Sequence, residues 1–184
     1  ASASVLRDYL RDWTRNARFG NSVLCEVGAG SSIVAEQLAA RSPRDLANLI
    51  LIDGAAAMLA YSSAYQAAGA RLVVADAALL PLRDASVDYF VISLGDPFNT
   101  ALTWNEISRC LRPGGQCLFT TPSFEWATEF RSSSAGERPD LAFFKLRNGA
   151  NVHLPSFVYS SPHQTAIFRE AGLALLRKID FPAN

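Results

Sequence analysis

Three acidic residues, Glu26, Asp53 and Asp76, each come at the end of a short apolar segment. If these segments are parallel strands of an α/β sheet, the three carboxylates lie at one edge, where such sheets bind ligands. A glycine turn at residues 28–30 follows the first segment and lets the backbone approach a ligand closely. Carboxylates here can accept hydrogen bonds from ribose hydroxyls or an adenine amino group, and Glu26 can lie beside a positive charge. Because no Lys or Arg adjoins the turn, the pattern does not favour a phosphate.

The glycine turn also differs from the dinucleotide-binding fingerprint. The position that holds its last glycine is Ile33 in this chain. A nicotinamide-dependent dehydrogenase is therefore disfavoured and ranks third among our interpretations.

Composition restricts the class of protein. A chain of 184 residues with 49% hydrophobic and 18% charged residues is long enough for one domain with a sizeable core. A formal net charge of zero argues against a nucleic-acid partner. No apolar run approaches the roughly 20 residues of a membrane-spanning helix. Three cysteines without paired spacing predict a reducing compartment, the cytoplasm.

The elements that must position the acidic residues alternate between strand and helix. This alternation, with strands that are apolar on both sides, predicts an α/β fold: a doubly wound, mainly parallel sheet with helices on both faces. The predicted strands cover residues 23–27, 46–53, 71–76, 87–94, 116–122 and 173–181. The predicted helices cover residues 4–18, 33–40, 55–69, 100–112 and 161–172.

We expect one domain made of four parts. These are an N-terminal helix (1–20), a cofactor-binding core (21–122), an insertion or lid (123–160), and a last helix and strand (161–184). The first residue is Ala1 rather than Met, and the sequence stops at Asn184. Both ends fit either a piece of a longer chain with further domains or the trimming of terminal segments.

Four segments resemble class I S-adenosylmethionine-dependent methyltransferases, which have a Rossmann-like fold. They are "VLCEVGAGSS", "LILIDGAAAML", "VVADAALLPLRDASVDYFVISL" and "EISRCLRPGGQCLFT". The resemblance covers about residues 20–122 and, further along, 157–181. Two departures stand out: Ser32 replaces the usual third glycine, and the seventh, antiparallel strand is not evident. The Ser32 hydroxyl can instead cap the following helix.

The resemblance implies S-adenosyl-L-methionine as cofactor and assigns the strand ends to parts of it. Glu26 and the glycine turn would cradle the methionine end, Asp53 the ribose and Asp76 the adenine, with Ala77 beside the base. The complete set of predicted cofactor-binding residues is Glu26, Gly28, Ala29, Gly30, Asp53, Gly54, Asp76, Ala77, Ser93 and Leu94.

Methyl transfer from a sulfonium needs good positioning more than acid–base chemistry, so the sequence does not identify a catalytic residue. A base is needed only if the acceptor must lose a proton, and His153 and Asp96 are the candidates that we retain. His163 and Glu125 are further possibilities, although His163 is expected to help begin the last helix. No spacing of Cys, His or Asp indicates a metal site.

The segment "GDPFNT" after the fourth strand allows a second interpretation. Adenine N-methyltransferases carry an Asp-Pro-Pro-Tyr type of motif at a similar place. Here the second proline is missing and the segment lies too far downstream, so an ordinary proline turn is preferred.

The acceptor is predicted to be a small organic molecule, because the charge is neutral and residues 123–160 are rich in aromatic residues. We expect this stretch to cover the acceptor and determine what is methylated. A protein or RNA acceptor is the first alternative. The second is a non-catalytic methyltransferase-like module that serves as an interaction surface within a larger protein.

Overall fold

A computed structural model describes residues 3–16, 19–41, 43–133 and 140–181. Its seven α-helices are α1 Ala3–Asn16, α2 Ile33–Arg41, α3 Ala56–Leu59, α4 Ser63–Ala67, α5 Ala101–Cys110, α6 Phe124–Ser133 and α7 Ser161–Glu170. Its seven strands are β1 Leu24–Val27, β2 Leu49–Asp53, β3 Arg71–Val74, β4 Val87–Ile92, β5 Leu111–Phe119, β6 Leu141–Lys145 and β7 Asn151–Pro155. Short 3₁₀ turns cover Pro43–Asn48, Ala60–Ser62 and Asp96–Phe98.

Five strands form one parallel sheet in the order β3-β2-β1-β4-β5. The order reverses beside β1, because the chain fills one side of the sheet with β2 and β3 and then crosses to β4. The three central strands are buried and consist mainly of Val, Leu, Ile and Phe, as a sheet covered on both faces requires. The predicted doubly wound α/β fold is therefore confirmed.

Two hydrophobic cores cover the two faces of the sheet. Alternate residues of β1 point to opposite sides, so Leu24 belongs to one core and Cys25 to the other. The first core includes Leu10 of α1 and Leu38 of α2, and the second includes Trp104 of α5. Helices thus pack on both faces of the sheet, and loops form its carboxyl edge.

Several element boundaries differ from the predictions. The helix expected over residues 55–69 is divided into α3, a 3₁₀ turn and α4, and β2 begins at Leu49 because residues 43–48 form a 3₁₀ turn. Helix α5 ends at Cys110, and β5 begins at once with Leu111, opposite Val87. The register between β4 and β5 then shifts, because Val87 lies opposite Leu111 but Tyr89 lies opposite Gln116. The extra residues of β5, which include the Pro-Gly-Gly segment, form an irregularity in the strand.

The insertion contains more regular structure than its composition predicts. Within residues 123–160, α6 is followed by an antiparallel hairpin of β6 and β7 in which Ala142 lies opposite Leu154 and Phe143 opposite His153. Residues 134–139 lie outside the described part of the chain. The hairpin packs against the 3₁₀ turn that follows β4, so the insertion lies beside the carboxyl end of this strand.

The expected sixth strand is not formed in the described part of the chain. Residues 173–181 take no place in the sheet, which leaves β5 as an edge strand among the described residues. Leu173 still packs against a core and Phe181 contacts Tyr9, whereas Leu176 is 77% exposed. Apolar composition predicts burial, but a strand also needs a neighbour whose backbone groups complete its hydrogen bonds. No seventh strand pairs with this sheet in the described residues either.

No helix in the described part of the chain combines the length and the apolarity that crossing a membrane requires.

Candidate functional site

The carboxyl ends of the five parallel strands bring the predicted cofactor residues to one edge. Val27 lies in register with Ile52 of β2 and Ile92 of β4, and Asp53 lies opposite Val74 of β3. The glycine turn, Asp53, Asp76 and Ser93 follow these paired residues within two positions along the chain. The predicted cofactor-binding residues are therefore close together, as the sequence pattern requires, and their contacts with a cofactor stay predictions.

The glycine turn follows β1 and is held by backbone and side-chain hydrogen bonds. Gly28 and Gly30 have φ angles of +70° and +46°, a region that favours glycine. The Ala29 N–H donates to the Ile52 carbonyl at 3.0 Å, which ties the turn to β2. The buried Ser62 hydroxyl donates to the Gly30 carbonyl at 2.6 Å. Nothing in the sequence around Ser62 indicated this contact.

Glu26 lies beneath the turn rather than on its surface, because its side chain is only 1% exposed. It accepts a hydrogen bond from the Ser32 hydroxyl, and the backbone N–H groups of Ile33 and Val34 also bond to it. Burial raises the pKa of Glu26 to about 7, against the opposing effect of these three hydrogen bonds. The geometry makes Glu26 a support of the turn, and a direct contact with the cofactor stays a prediction.

Ser32 occupies the third glycine position of the turn and is held there by its own hydrogen bonds. Its φ angle is +45°, and its hydroxyl both donates to Glu26 and accepts from the Ala35 N–H at 2.9 Å. The prediction that Ser32 caps α2 is confirmed. The two side-chain hydrogen bonds offset the cost of the left-handed backbone conformation at a residue other than glycine.

Asp53 holds two turns together at the end of β2. One carboxylate oxygen accepts from the Gly30 N–H at 2.9 Å, and the other accepts from the Ala55 N–H at 2.8 Å. An ionised carboxylate offers about four lone-pair sites, so these bonds leave acceptor capacity for a pair of ribose hydroxyls. Asp53 therefore combines a structural role with the geometry of its predicted role.

Asp76 lies exposed after β3 and accepts from the Ala78 N–H at 2.9 Å, while Ala77 beside it is buried.

Two residues of α5 that the sequence did not indicate hold the loop that follows Asp76. The Glu106 carboxylate accepts from the Leu80 N–H at 2.8 Å, and the Arg109 guanidinium donates to the Leu80 carbonyl at 3.1 Å. Arg109 also binds Glu106 directly and lowers the pKa of that carboxyl. The Glu106–Arg109 pair thus fixes the loop that carries Asp76.

Phe98 connects the glycine turn with the segment after β4. A Cβ atom built on Gly28 would lie 2.7 Å and 2.8 Å from two atoms of the Phe98 ring, so the ring packs directly on the turn. Phe98 belongs to the 3₁₀ turn Asp96–Phe98, whose other residues face a cavity on the acceptor side. This segment, "GDPFNT", is therefore a packing element between two parts of the site.

The chemistry of these groups fits S-adenosylmethionine. Two strand-end carboxylates, Asp53 and Asp76, are available for a diol and an amino group, and no Lys or Arg adjoins the glycine turn to favour a phosphate. The buried Ser93 hydroxyl, at the end of β4, has no hydrogen-bond partner in the structure. The described residues contain no group of His, Cys, Asp and Glu suited to a metal ion.

A cavity of about 280 Å³ lies between the ends of β4 and β5, α6 and the hairpin. Most of its walls are apolar and come from segments far apart in the sequence. The lining residues are Leu94, Asp96, Pro97, Pro122, Trp126, Ala127, Ala142, Phe144, Leu154, Pro155 and Ser156.

A hydrogen-bond network attaches the hairpin side of this cavity to the segment after β4. The Ser156 hydroxyl donates to the Asp96 carboxylate at 2.7 Å, and the Phe157 N–H donates to the Asp96 carbonyl at 2.8 Å. The buried Asn99 amide donates to the Phe157 carbonyl at 2.8 Å and accepts from the Trp104 indole N–H at 2.7 Å. The network fixes the wall of the cavity, and a lone Asn in a turn carried no signal for it in the sequence.

The candidate bases occupy different surroundings. Asp96 lines the cavity, whereas His153 is exposed on the other face of the hairpin, where its ring contacts Phe143 at 5.2 Å between centroids. The His163 ring stacks on Tyr159 in the first turn of α7, and Glu125 is exposed in α6. Only Asp96 among the four lines the cavity, and its role as a base stays a prediction.

Comparison of the sequence with families of known proteins identifies the family of this chain. Residues 25–119, just over half of the chain, match the family described as "Methyltransferase domain". The chain belongs to this methyltransferase family. The resemblance inferred from the four sequence segments is therefore confirmed.

Individual relatives agree with this assignment. Ubiquinone/menaquinone biosynthesis C-methyltransferase UbiE of Rubrivivax gelatinosus is 36% identical over 112 residues, which are 58% of this chain and 43% of that protein. The alignment thus spans less than half of the relative's length.

Solved structures share the fold at lower sequence identity. An S-adenosylmethionine-dependent methyltransferase from Clostridium acetobutylicum has a TM-score of 0.72 at 15% identity, covering all of this chain and 86% of that one. Geranyl diphosphate C-methyltransferase from Streptomyces coelicolor, solved with S-adenosyl-L-homocysteine, has a TM-score of 0.64 at 13% identity, covering 91% and 59% respectively. At these identities the likeness supports the fold alone.

Proposed function

We propose that this chain is an S-adenosylmethionine-dependent methyltransferase domain that transfers a methyl group to a small organic acceptor. The main observation behind the proposal is that two features lie at one edge of the sheet. One is a candidate cofactor site with no cationic residue beside the glycine turn to bind a phosphate, and the other is an apolar cavity. Asp53 and Asp76 belong to the candidate cofactor site, and Phe98 packs between the glycine turn and the cavity wall. The UbiE relative, named as a C-methyltransferase, supports methyl transfer as the chemistry.

The chain's own contribution to the reaction is positioning. When bound, the cofactor would supply a methyl group on a sulfonium that leaves as a neutral sulfide. Asp53 and Asp76 would orient the ribose and adenine, and the glycine turn would hold the methionine part. The cavity walls would hold the acceptor, and holding two reactants in attack geometry can supply roughly 7–11 kcal/mol. If the acceptor must lose a proton, the Asp96 carboxylate is the base that lines the cavity.

A small molecule fits the cavity better than a macromolecule does. The cavity volume of about 280 Å³ lies just below the range of about 300–1,000 Å³ for small-molecule sites and suits only a compact ligand. A protein or RNA acceptor would need an extended surface, and the zero net charge does not favour RNA. A location in the cytoplasm stays a prediction.

Calorimetry with S-adenosylhomocysteine and with NAD tests the cofactor part of the proposal. We expect S-adenosylhomocysteine to bind and NAD not to bind, because the site offers carboxylates for a diol and no cation for a pyrophosphate. Asp76→Ala should weaken binding, whereas Asp8→Ala, a change to an exposed carboxylate of α1 paired with Arg11, should leave it nearly unchanged. Binding of NAD in preference to S-adenosylhomocysteine would refute the proposal.

Replacing Ser132–Gly149 with a short Gly/Ser linker tests the acceptor part. This change removes β6 and opens the cavity but spares the glycine turn, Asp53 and Asp76. We expect affinity for S-adenosylhomocysteine to hold within a few-fold while methyl transfer to an acceptor is lost. If the variant unfolds or loses the cofactor, the segment is part of the core and does not act as a cover over the acceptor.

A further inference from the structure

We propose that the cavity takes a compact, largely apolar acceptor without an anionic group, such as a substituted aromatic ring. This inference rests on the proposed function, because it identifies the chemical class of the small molecule that the site would methylate. It excludes phosphorylated and carboxylated acceptors as preferred ligands.

The apolar rim of the cavity is the first observation. Leu94, Trp126, Phe144 and Leu154 all line the cavity, and each remains 46–56% exposed. Four large apolar side chains around one opening leave apolar surface in contact with water, and exposed patches of this kind commonly mark binding sites. A ligand that covers them gains roughly 25 cal/mol for each Å² of apolar surface removed from water.

The scarcity of charge in the lining is the second observation. The lining includes no Lys, Arg or His, so an acceptor with a phosphate or carboxylate would lose its hydration without gaining a cationic partner. The one ionisable lining residue is Asp96, whose negative charge would also repel an anion. An acceptor without an anionic group avoids both costs.

The shape of the cavity is the third observation. Its volume of about 280 Å³ suits one or two fused rings, and α6 and the hairpin close it on two sides. Asp96 and Pro97 form one wall, and the next residue, Phe98, packs on Gly28 of the glycine turn. A ring held in the cavity would therefore lie one residue along the chain from the side chain that packs on the glycine turn.

A matched pair of naphthalene probes tests the inference. The probes are 2-naphthol and 2-naphthoate, which share one ring system and differ in charge. Binding is measured by calorimetry on protein saturated with S-adenosylhomocysteine. We expect 2-naphthol to bind roughly tenfold or more tightly than 2-naphthoate.

Two variants of the hairpin region locate the binding. Ala142→Phe adds a ring to the cavity wall and should weaken 2-naphthol binding by roughly tenfold or more, since the added ring takes space that the probe needs. Ala150→Phe adds the same ring at an exposed position outside the lining and should leave binding unchanged. Neither variant should alter the affinity for S-adenosylhomocysteine.

The outcomes separate this inference from the proposed function. If S-adenosylhomocysteine binds but a charged probe binds as well as 2-naphthol, or no probe binds, the inference is overturned and the proposed function stands. Equal weakening by both phenylalanine variants, or by neither, would place the probe elsewhere and would also overturn the inference. Failure of S-adenosylhomocysteine to bind contradicts the proposed function, whereas the preference among probes still decides the character of the cavity.

Discussion

The two halves of the candidate site are built in different ways. At the ends of β1 and β2, buried or partly buried hydrogen bonds hold the turns. The carboxylates of Glu26 and Asp53 accept in these bonds, and the hydroxyls of Ser32 and Ser62 donate. At the ends of β4 and β5, an apolar cavity is enclosed by the insertion, and its polar residues mainly attach one wall to another. In the first half, hydrogen bonds fix the backbone and the polar groups that would bind the cofactor. In the second half, the size and polarity of the cavity depend on the side chains that line it.

This difference shows which half can change without loss of the other. The cofactor half uses backbone conformations and acidic groups at set places, so most substitutions there alter the turn itself. The acceptor half uses side chains of similar character from α6 and the hairpin, and these can be exchanged while the sheet remains. Loops that vary on a rigid scaffold are where specificity is commonly found.

Gly28→Ala should have the largest effect on the cofactor half. A methyl group at φ +70° costs roughly 1–2 kcal/mol of backbone strain, and its clash with the Phe98 ring adds about 1–3 kcal/mol. We therefore expect a loss of about 2–5 kcal/mol in the free energy of unfolding, with weaker cofactor binding. Urea denaturation measures the first effect and calorimetry the second.

Two variants divide this effect into its parts. Gly114→Ala, at φ +80° with no atom within 4 Å of the added Cβ, gives the backbone strain alone. In a Phe98→Ala background the added cost of Gly28→Ala should fall to that of Gly114→Ala. If it does not, Phe98 is not packed on the turn as described.

Asp53→Ala should weaken binding of S-adenosylhomocysteine by about 2–4 kcal/mol, because hydrogen bonds to a charged group contribute about 1.5–3 kcal/mol each and do not add fully. The sequence pattern places Asp53 outside the core, but the structure adds a cost to stability, since Gly30 and Ala55 lose their acceptor. Asp53→Asn keeps one acceptor oxygen and should lie between the wild type and Asp53→Ala in both measurements. Unchanged affinity with reduced stability would make Asp53 a turn anchor only.

Glu26 should make stability depend on pH. Its pKa in the folded protein is raised from 4.5 to about 7, so folding favours the protonated form. The stability that this group contributes is fully present below pH 4.5 and is lost as the pH rises through about 7, by on the order of 3 kcal/mol.

Glu26→Gln cannot titrate, so the free energy of unfolding of this variant should lack this slope in urea denaturation at pH 4.5–8. Glu36→Gln, a change at an exposed position in α2, should keep the slope. A wild-type slope that Glu26→Gln leaves intact would assign the titration to another group.

Asn99→Ala should have the smallest effect, and it should fall on the acceptor half. The variant leaves the buried Trp104 N–H without its acceptor and releases the Phe157 carbonyl, at a cost of about 1–3 kcal/mol in stability. Cofactor affinity should hold within a few-fold. Asn99→Asp retains an acceptor for Trp104 but places a buried carboxylate oxygen against the Phe157 carbonyl, so it should be at least as destabilising. A large loss of cofactor binding in Asn99→Ala would show that the two halves are not separable.

Sequence patterns were sufficient for the sheet and for the set of candidate cofactor residues. Alternating apolar strands and amphipathic helices predicted the parallel sheet, and the acids at three strand ends indicated one edge. These features are local, since the period of the side chains and the end of a strand can be read from neighbouring residues. The capping role of Ser32 was predicted for the same reason, because a cap lies next to the helix that it begins.

Only the tertiary structure decided what lies around those residues. Glu26 was predicted beside the cofactor, yet its burial and its bonds to Ser32 depend on how α2 packs over β1. The segment 173–181 has the composition of a strand but pairs with none, because pairing requires a neighbour that composition does not specify.

The acceptor cavity joins Leu94, Trp126 and Leu154, which are far apart along the chain, and His153 lies on the opposite face of the same hairpin. A local sequence pattern determines which elements form and where their ends lie. The way in which distant elements enclose a cavity depends on packing between them, and for that reason only the structure showed which residues line the cavity beneath the insertion.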